Sequence, residues 1–271
     1  LRPVFAVVLG LAIGSLATLF AGENPLDVLL IVFRSAFGSV YDLGMTLFYA
    51  TPLIFTGLSV AAAFHAGLFN IGAEGQLTLG ALAAAAVGII FADVGWPWGV
   101  PLSVAAAFAV GGVWGAIPGL LKAYRGSHEV ITTIMLNFVA AGIASWVPLY
   151  PLRNTETQNP ESMHVGAGFL LQQLDFFEDA PVTYMLFIAL AVAFVLWFLL
   201  WRTSFGFDIR SVGQSERAAQ VAGIDGRAIR WKAMALAGGI AGLAGLADVL
   251  GPSGCFKLGF SADYGFIGIA V

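Results

Sequence analysis

The sequence predicts an all-α polytopic membrane protein with about eight transmembrane segments, and three observations point to it. Of its 271 residues 59% are hydrophobic and 10% are charged, with a mean hydropathy of +0.89, whereas soluble domains carry about 25% charged residues. Apolar runs of the ~20 residues that carry a helix across a bilayer core recur along the chain. The short alternating segments of an outer-membrane barrel do not occur.

Taken in order, apolar runs place spans near 3–20, 44–64, 72–92, 98–121, 130–149, 181–201 and 233–250, with another starting at 264. The first follows Arg2 and fits a cleavage site poorly, so it reads as an uncleaved anchor. Within 21–41, Leu26, Leu29, Leu30, Phe33 and Phe37 fall at helical spacing beside Asp27 and Arg34, the pattern of an interfacial amphipathic helix. The polar, acidic stretch 151–181 reads as an external loop with a short helix over a pore mouth. Alternating the sides gathers Arg2, Lys122, Arg125, Arg202, Arg210, Arg217, Arg227, Arg230 and Lys232 on one face and leaves Arg34, Arg153 and Lys257 on the other; the basic face is cytoplasmic by the positive-inside rule. The expected organisation is a single transmembrane domain over 1–271: spans in 3–149, an external loop at 150–180, and further spans with a cytoplasmic segment in 181–271. The final "DYGFIGIAV" enters a new apolar segment, so the chain is expected to be part of a longer protein with internal repeats.

Polar residues at depth carry the functional argument. "HAGLFNIGAEG" holds Gly67, Gly72 and Gly75, which predicts a helix broken near 65–72 and restarting there. Glu74 then lies in a first turn, where the helix dipole favours a carboxylate. Helix-start stabilisation and substrate contact explain it equally well, and either marks an interrupted helix of the kind that lines transport routes. Gly72, Gln76, Gly80, Ala84 and Gly88 form an i, i+4 stripe suited to close helix approach. A second line runs through Thr133, Asn137, Ala141 and Ser145. Interhelical hydrogen bonding is the plainer explanation for Thr133 and Ser145, whereas mid-span Asn137 can donate to and accept from a hydroxylated substrate. The candidate pathway is therefore Asn70, Glu74, Gln76, Thr133 and Asn137, and Asn137→Leu and Gln76→Leu are expected to impair transport more than assembly.

The segment 202–232 carries the other functional signal. Ser215 is placed to cap a helix of about two turns that Gly223 ends, and Asp225 to cap the next. Ala218, Ala219 and Ala222 are expected on one shallow face. Large apolar residues would suit a helix resting on lipid, so alanines favour docking into a protein groove. The chain has no G-x-x-x-x-G-K-[ST] and no Gly-Lys pair, so a P-loop ATPase would have to be a separate chain. Scattered His65, His128 and His164 and a lone Cys255 offer no catalytic or metal-binding constellation. The rival from another class is an ion-gradient-driven transporter with a midplane site, which leaves the alanine-faced helix without a purpose; a pure scaffold leaves the buried polar residues unexplained.

"GLFNIGAEGQLTLGALAA", "EVITTIMLNFVAAGI", "GFDIRSVGQSERAAQVAGI", "AGGIAGLAGLADVLG" and "DYGFIGIAV" resemble, in order and spacing, the permease subunits of bacterial ABC importers for nucleosides and simple sugars, a group related to ribose and branched-chain amino acid permeases. The resemblance covers most of 44–271. It implies a bacterial cytoplasmic (inner) membrane location and a second permease subunit, identical or homologous. It also implies separate ATPase subunits that hold ATP and Mg, an external binding protein or lipoprotein, no cofactor in this chain and no nucleic-acid partner. It assigns coupling to Gly213, Glu216, Ala218, Ala219, Ala222 and Gly223. A nucleoside is the expected cargo, with a simple sugar second.

Overall fold

The computed structural model describes residues 2–261 and 263–271. In order it contains α1 (Arg2–Phe20), α2 (Pro25–Phe37), α3 (Val40–His65), α4 (Ala73–Ile90), α5 (Gly99–Arg125), α6 (Glu129–Trp146), α7 (Met185–Arg202), α8 (Ser204–Gln214), α9 (Glu216–Val221), α10 (Gly226–Gly242), α11 (Leu246–Val249) and α12 (Tyr264–Ile267). Among the described residues six segments are long and apolar enough to cross a membrane: α3, α4, α5, α6, α7 and the stretch Gly226–Val249. Counting α1 and α2 as one bent span makes seven. The sequence suggested about eight because α1 passes on composition alone and α12 is a single turn.

Glycine contacts set the centre of the fold. α10 packs along α5, and α4 lies against both. A methyl group on Gly80 would strike the Gly242 carbonyl, and one on Gly111 the Gly238 carbonyl. With no side chain between them, backbones meet directly, which is how membrane helices gain close packing without a hydrophobic driving force. The i, i+4 stripe of α4 is thus shared among partners: Gly72 meets Thr133, Gly80 meets α10, and Gly88 meets Val165. Leu77, Ala81, Ala84, Ala237, Ile240 and Leu246 fill the core around it.

α1 and α2 lie outside this centre. They meet at 119°, and no residue of α2 is buried within the chain. Asn24 caps α2, its side chain accepting from Leu26 N–H at 3.1 Å, and Pro25 occupies the first turn, a regular helix start.

The two ends of the bundle differ. At one, Arg210 stands 4.4 Å over the Trp201 ring, His65 meets the same ring edge-on, and Arg230 pairs with Glu216. This is the basic end of the sequence reading. At the other, the expected short helix of the 151–181 loop is instead two 3-10 turns, Ala167–Phe169 and Asp175–Phe177. They interrupt an extended strap whose N–H groups bond chain from the other half: Ser162 to Phe256, Val165 to Gly254 and Leu171 to Leu250. The strap thus satisfies backbone groups between segments rather than within a helix. Burial, and then the Glu161 carboxylate nearby, push the Cys255 thiol up to about 11, which keeps it protonated and unreactive at neutral pH.

Candidate functional site

α3 ends at His65 and α4 begins at Ala73, so the chain is non-helical between them. This connection between two spans is largely buried in protein and must satisfy its own backbone groups, and side-chain amides do so. Asn70 and Gln76 form a reciprocal pair: Asn70 Nδ2 donates to Gln76 Oε1 at 2.7 Å, and Gln76 Nε2 to Asn70 Oδ1 at 3.0 Å. Asn70 Nδ2 also reaches Ser59 Oγ, and Asn70 Oδ1 accepts from Gly72 N–H at 3.1 Å. From α6, Asn137 clasps the restart with both ends of its amide, Oδ1 accepting from Gly75 N–H and Nδ2 donating to the Ile71 carbonyl, each at 3.0 Å.

Beside this clasp lies a cavity of about 250 Å³ between α4, α6 and the segment 256–261, with Glu74, Thr78, Asn137, Ser145, Phe256 and Phe260 on its walls. Glu74 is half-buried, and its Oε2 accepts from Gly265 N–H at 2.8 Å, tying the start of α4 to α12. Of the five pathway candidates, then, Glu74 and Asn137 reach the cavity. Asn70 and Gln76 are 0% and 1% exposed and spend their polar atoms on each other. Thr133 is buried and donates back to the Glu129 and Val130 carbonyls of its own helix. These three are buried, hydrogen-bonded within the chain and absent from the cavity wall, so here they serve the fold. Sequence spacing could have found Thr78, one turn beyond Glu74 on α4. Ser261 and Phe260 carry no sequence signal, because the loop that delivers them folds back from 250.

A second interruption separates α10 from α11, at Leu243, Ala244 and Gly245. It borders a smaller cavity of about 200 Å³, whose lining includes Tyr49, Asp248, Phe260 and Tyr264. Phe260 thus faces both cavities.

At the basic end, Ser215 Oγ accepts from Ala218 N–H, Gly223 closes α9 with φ +81°, and Asp225 Oδ1 accepts from Arg227 and Ala228 N–H. Glu216 turns back to a two-pronged pair with Arg230, at 3.1 and 2.9 Å. The three alanines do not share a face. Ala218 and Ala222 are exposed, but Ala219 is 2% exposed within the chain's own core, so it cannot meet a partner as expected. α9 docks on α8 and α10 along the Ala219 side, and its outer surface is Arg217, Ala218, Gln220, Val221 and Ala222. Gly213, just before α9, rests on the first break: a methyl there would strike the His65 carbonyl, and Gly67 lies against the same backbone with φ +70°. The end of α8, which leads into the exposed helix, is therefore in direct contact with the interrupted α3–α4 connection.

Comparison with known proteins follows the same lines. Residues 43–271 match the family described as branched-chain amino acid transport system / permease component. The guanosine ABC transporter permease protein NupP of Bacillus subtilis is 37% identical over 100% of this chain and 78% of its own length. The nucleoside ABC transporter permease protein NupB of Lactococcus lactis subsp. cremoris is 33% identical over 100% of this chain and 76% of its own. The glucose ABC transporter permease protein TsgB13 of Haloferax volcanii is 32% identical over 99% of this chain and 73% of its own. No solved structure matches the chain.

Proposed function

Because the chain belongs to the branched-chain amino acid transport system / permease component family, we propose that it is the multi-pass permease subunit of an ATP-driven importer that moves nucleosides across the bacterial cytoplasmic membrane by alternating access. The observation that carries the cargo is the identity, at 37% and 33% over the whole chain, to permeases named for guanosine and nucleosides. A simple sugar ranks second, on the 32% identity to a glucose permease. The route runs through the cavity of Glu74 and Asn137, beside an interrupted helix, where half-buried polar groups can exchange hydrogen bonds with a hydroxylated solute.

ATP and Mg belong to separate ATPase subunits, since this sequence has no P-loop. The ATPase contact is α9 with its flanking Gly213 and Gly223, presented outward by Ala218, Val221 and Ala222 while Glu216 and Ala219 hold the helix to the permease. Val221 is 91% exposed, an apolar side chain at the tip of an otherwise charged end. A second permease subunit and an external binding protein complete the assembly. This arrangement accounts for the capped, exposed helix, which the ion-gradient rival leaves idle.

The test is uptake in membrane vesicles with ATP maintained. Labelled nucleoside should accumulate only when a cognate ATPase is present and should survive a protonophore; ATPase-independent uptake abolished by the protonophore overturns the reading. Ala222→Trp should leave the permease at normal level while its ATPase is lost on purification. Normal copurification and uptake in that variant removes α9 from the contact.

A further inference from the structure

We propose that the cavity at the α10–α11 interruption is the subsite that reads the base of the nucleoside, and that its Asp248 carboxylate selects a purine edge with two adjacent N–H donors, as guanine has. The proposal rests on the nucleoside reading above and adds where and how the base is recognised.

Flat surfaces line this cavity. Phe48, Tyr49, Phe260 and Tyr264 surround it, with Ala244 and Gly245 leaving room between them. Aromatic side chains of this kind stack on heterocyclic rings whatever their sequence or substituents. At about 200 Å³ the space is below the ~300 Å³ at which pockets for whole drug-sized ligands begin, so it suits part of a ligand. The remainder has a place. Phe260 also lines the neighbouring cavity of about 250 Å³, where Glu74, Thr78, Asn137 and Ser145 supply partners for ribose hydroxyls. A nucleoside laid across Phe260 puts its base on the aromatic side and its sugar on the polar side.

Asp248 supplies the discrimination. It comes from α11, one turn past the break, and its Oδ1 accepts from Ser253 Oγ at 2.9 Å. An ionised carboxylate offers about four acceptor sites and no donor, so the serine leaves capacity on the side facing the cavity. Guanine offers N1–H and the 2-amino group side by side to such an acceptor. Adenine offers its amino group next to a bare N1, whose lone pair opposes the carboxylate. An amide in place of the carboxylate reverses that preference, since its oxygen accepts and its nitrogen donates in the pattern that suits adenine.

The experiment compares guanosine and adenosine uptake by the complete transporter, permeases, ATPase and loaded binding protein, in proteoliposomes. Asp248→Asn keeps an oxygen for Ser253, so the loop it holds should survive. The ratio of guanosine to adenosine uptake should fall roughly tenfold, the loss that follows when a charge-assisted hydrogen bond is removed. Phe260→Leu should slow both nucleosides at normal membrane level. An Asp248→Asn ratio equal to wild type, whether both rates fall together or neither changes, overturns the base subsite while leaving nucleoside import standing. A wild-type complex that carries glucose and neither nucleoside overturns the import reading, and this proposal with it.

Discussion

Two helix breaks among the described residues, α3 to α4 and α10 to α11, lie inside the bundle, and the two interruptions are built differently. Between α3 and α4 the gap is filled by side-chain amides: Asn70 and Gln76 pair reciprocally, Ser59 and Gly72 take their remaining hydrogen-bonding capacity, and Asn137 binds the restart from across the bundle. Between α10 and α11 the described residues form no such network. Backbone turns bridge the gap, Asp248 holds Ser253, and the aromatic side chains nearby border open space. The difference teaches that polar residues at depth in this molecule fall into two populations. One is consumed by holding broken backbone in a solvent of lipid and protein; the other keeps spare hydrogen-bonding capacity beside a cavity, where a solute can use it.

The strongest way to break this comparison is at the closed interruption. Gln76→Leu removes one half of the amide pair and strands Asn70 without water, and an unsatisfied buried polar group costs about 1–3 kcal/mol. Assembled permease in the membrane should drop several-fold, with the residual protein transporting in proportion, as judged by quantitative blotting beside uptake. Normal protein level with failed uptake would return Gln76 to the pathway. Asn137→Leu comes next. It frees Gly75 N–H and the Ile71 carbonyl and also removes a cavity wall, so protein level should fall less than for Gln76→Leu while uptake per molecule falls as well. Uptake that merely tracks the protein level would make Asn137 a clasp alone.

Glu74→Gln sharpens the contrast from the other side. The amide oxygen can still accept from Gly265 N–H, so level and detergent stability should stay within about 0.5 kcal/mol of wild type, as for substitutions that preserve their partners. Uptake should fall several-fold because the charge beside the route is gone; a stability loss equal to that of Gln76→Leu would place Glu74 with the closed network. The smallest effect belongs to Glu216→Gln. The Glu216–Arg230 pair is partly exposed, its side chains retaining 39% and 22% of their accessible surface. Exposed pairs contribute about 0–1 kcal/mol, so melting temperature and ATPase-coupled uptake should shift little, and less in high salt. A large uptake loss at unchanged stability would make the carboxylate itself part of the ATPase contact.

Much of this was legible in the sequence, for reasons particular residues make plain. The break at 65–72 was legible because Gly67, Asn70 and Gly72 crowd poor helix formers into a few residues of an apolar run. Ser215, Gly223 and Asp225 predicted the bounds of α9 because capping is local chemistry, decided within a few residues. What sequence periodicity could not decide was which polar atoms were already spoken for. Asn70, Gln76 and Asn137 read alike as unpartnered amides, yet their partners lie 6, 11 and 62 or more positions away. The inward turn of Ala219 depends on how α9 docks against α10 and α8, which no pattern within six residues records. Asp248 and Phe260 were passed over because the aromatic cavity assembles from α3, α11 and a loop, each ordinary by itself.

The glycine contacts among α4, α5 and α10 also set a tempo. Where the Gly80 backbone lies against Gly242 and Gly111 against Gly238, no rotamer stands between the helices to change state. A shift of one helix past another has no soft step available, and the backbone amides there open only with the whole bundle. Deuterium should therefore enter α4, α5 and α10 last, and alternate conformers should be sought at their margins, in the 256–261 segment, in α12 and where Gly213 bears on the first interruption. The import cycle, on this view, is a movement of the periphery around a keel, timed by ATP at one end and by arriving cargo at the other.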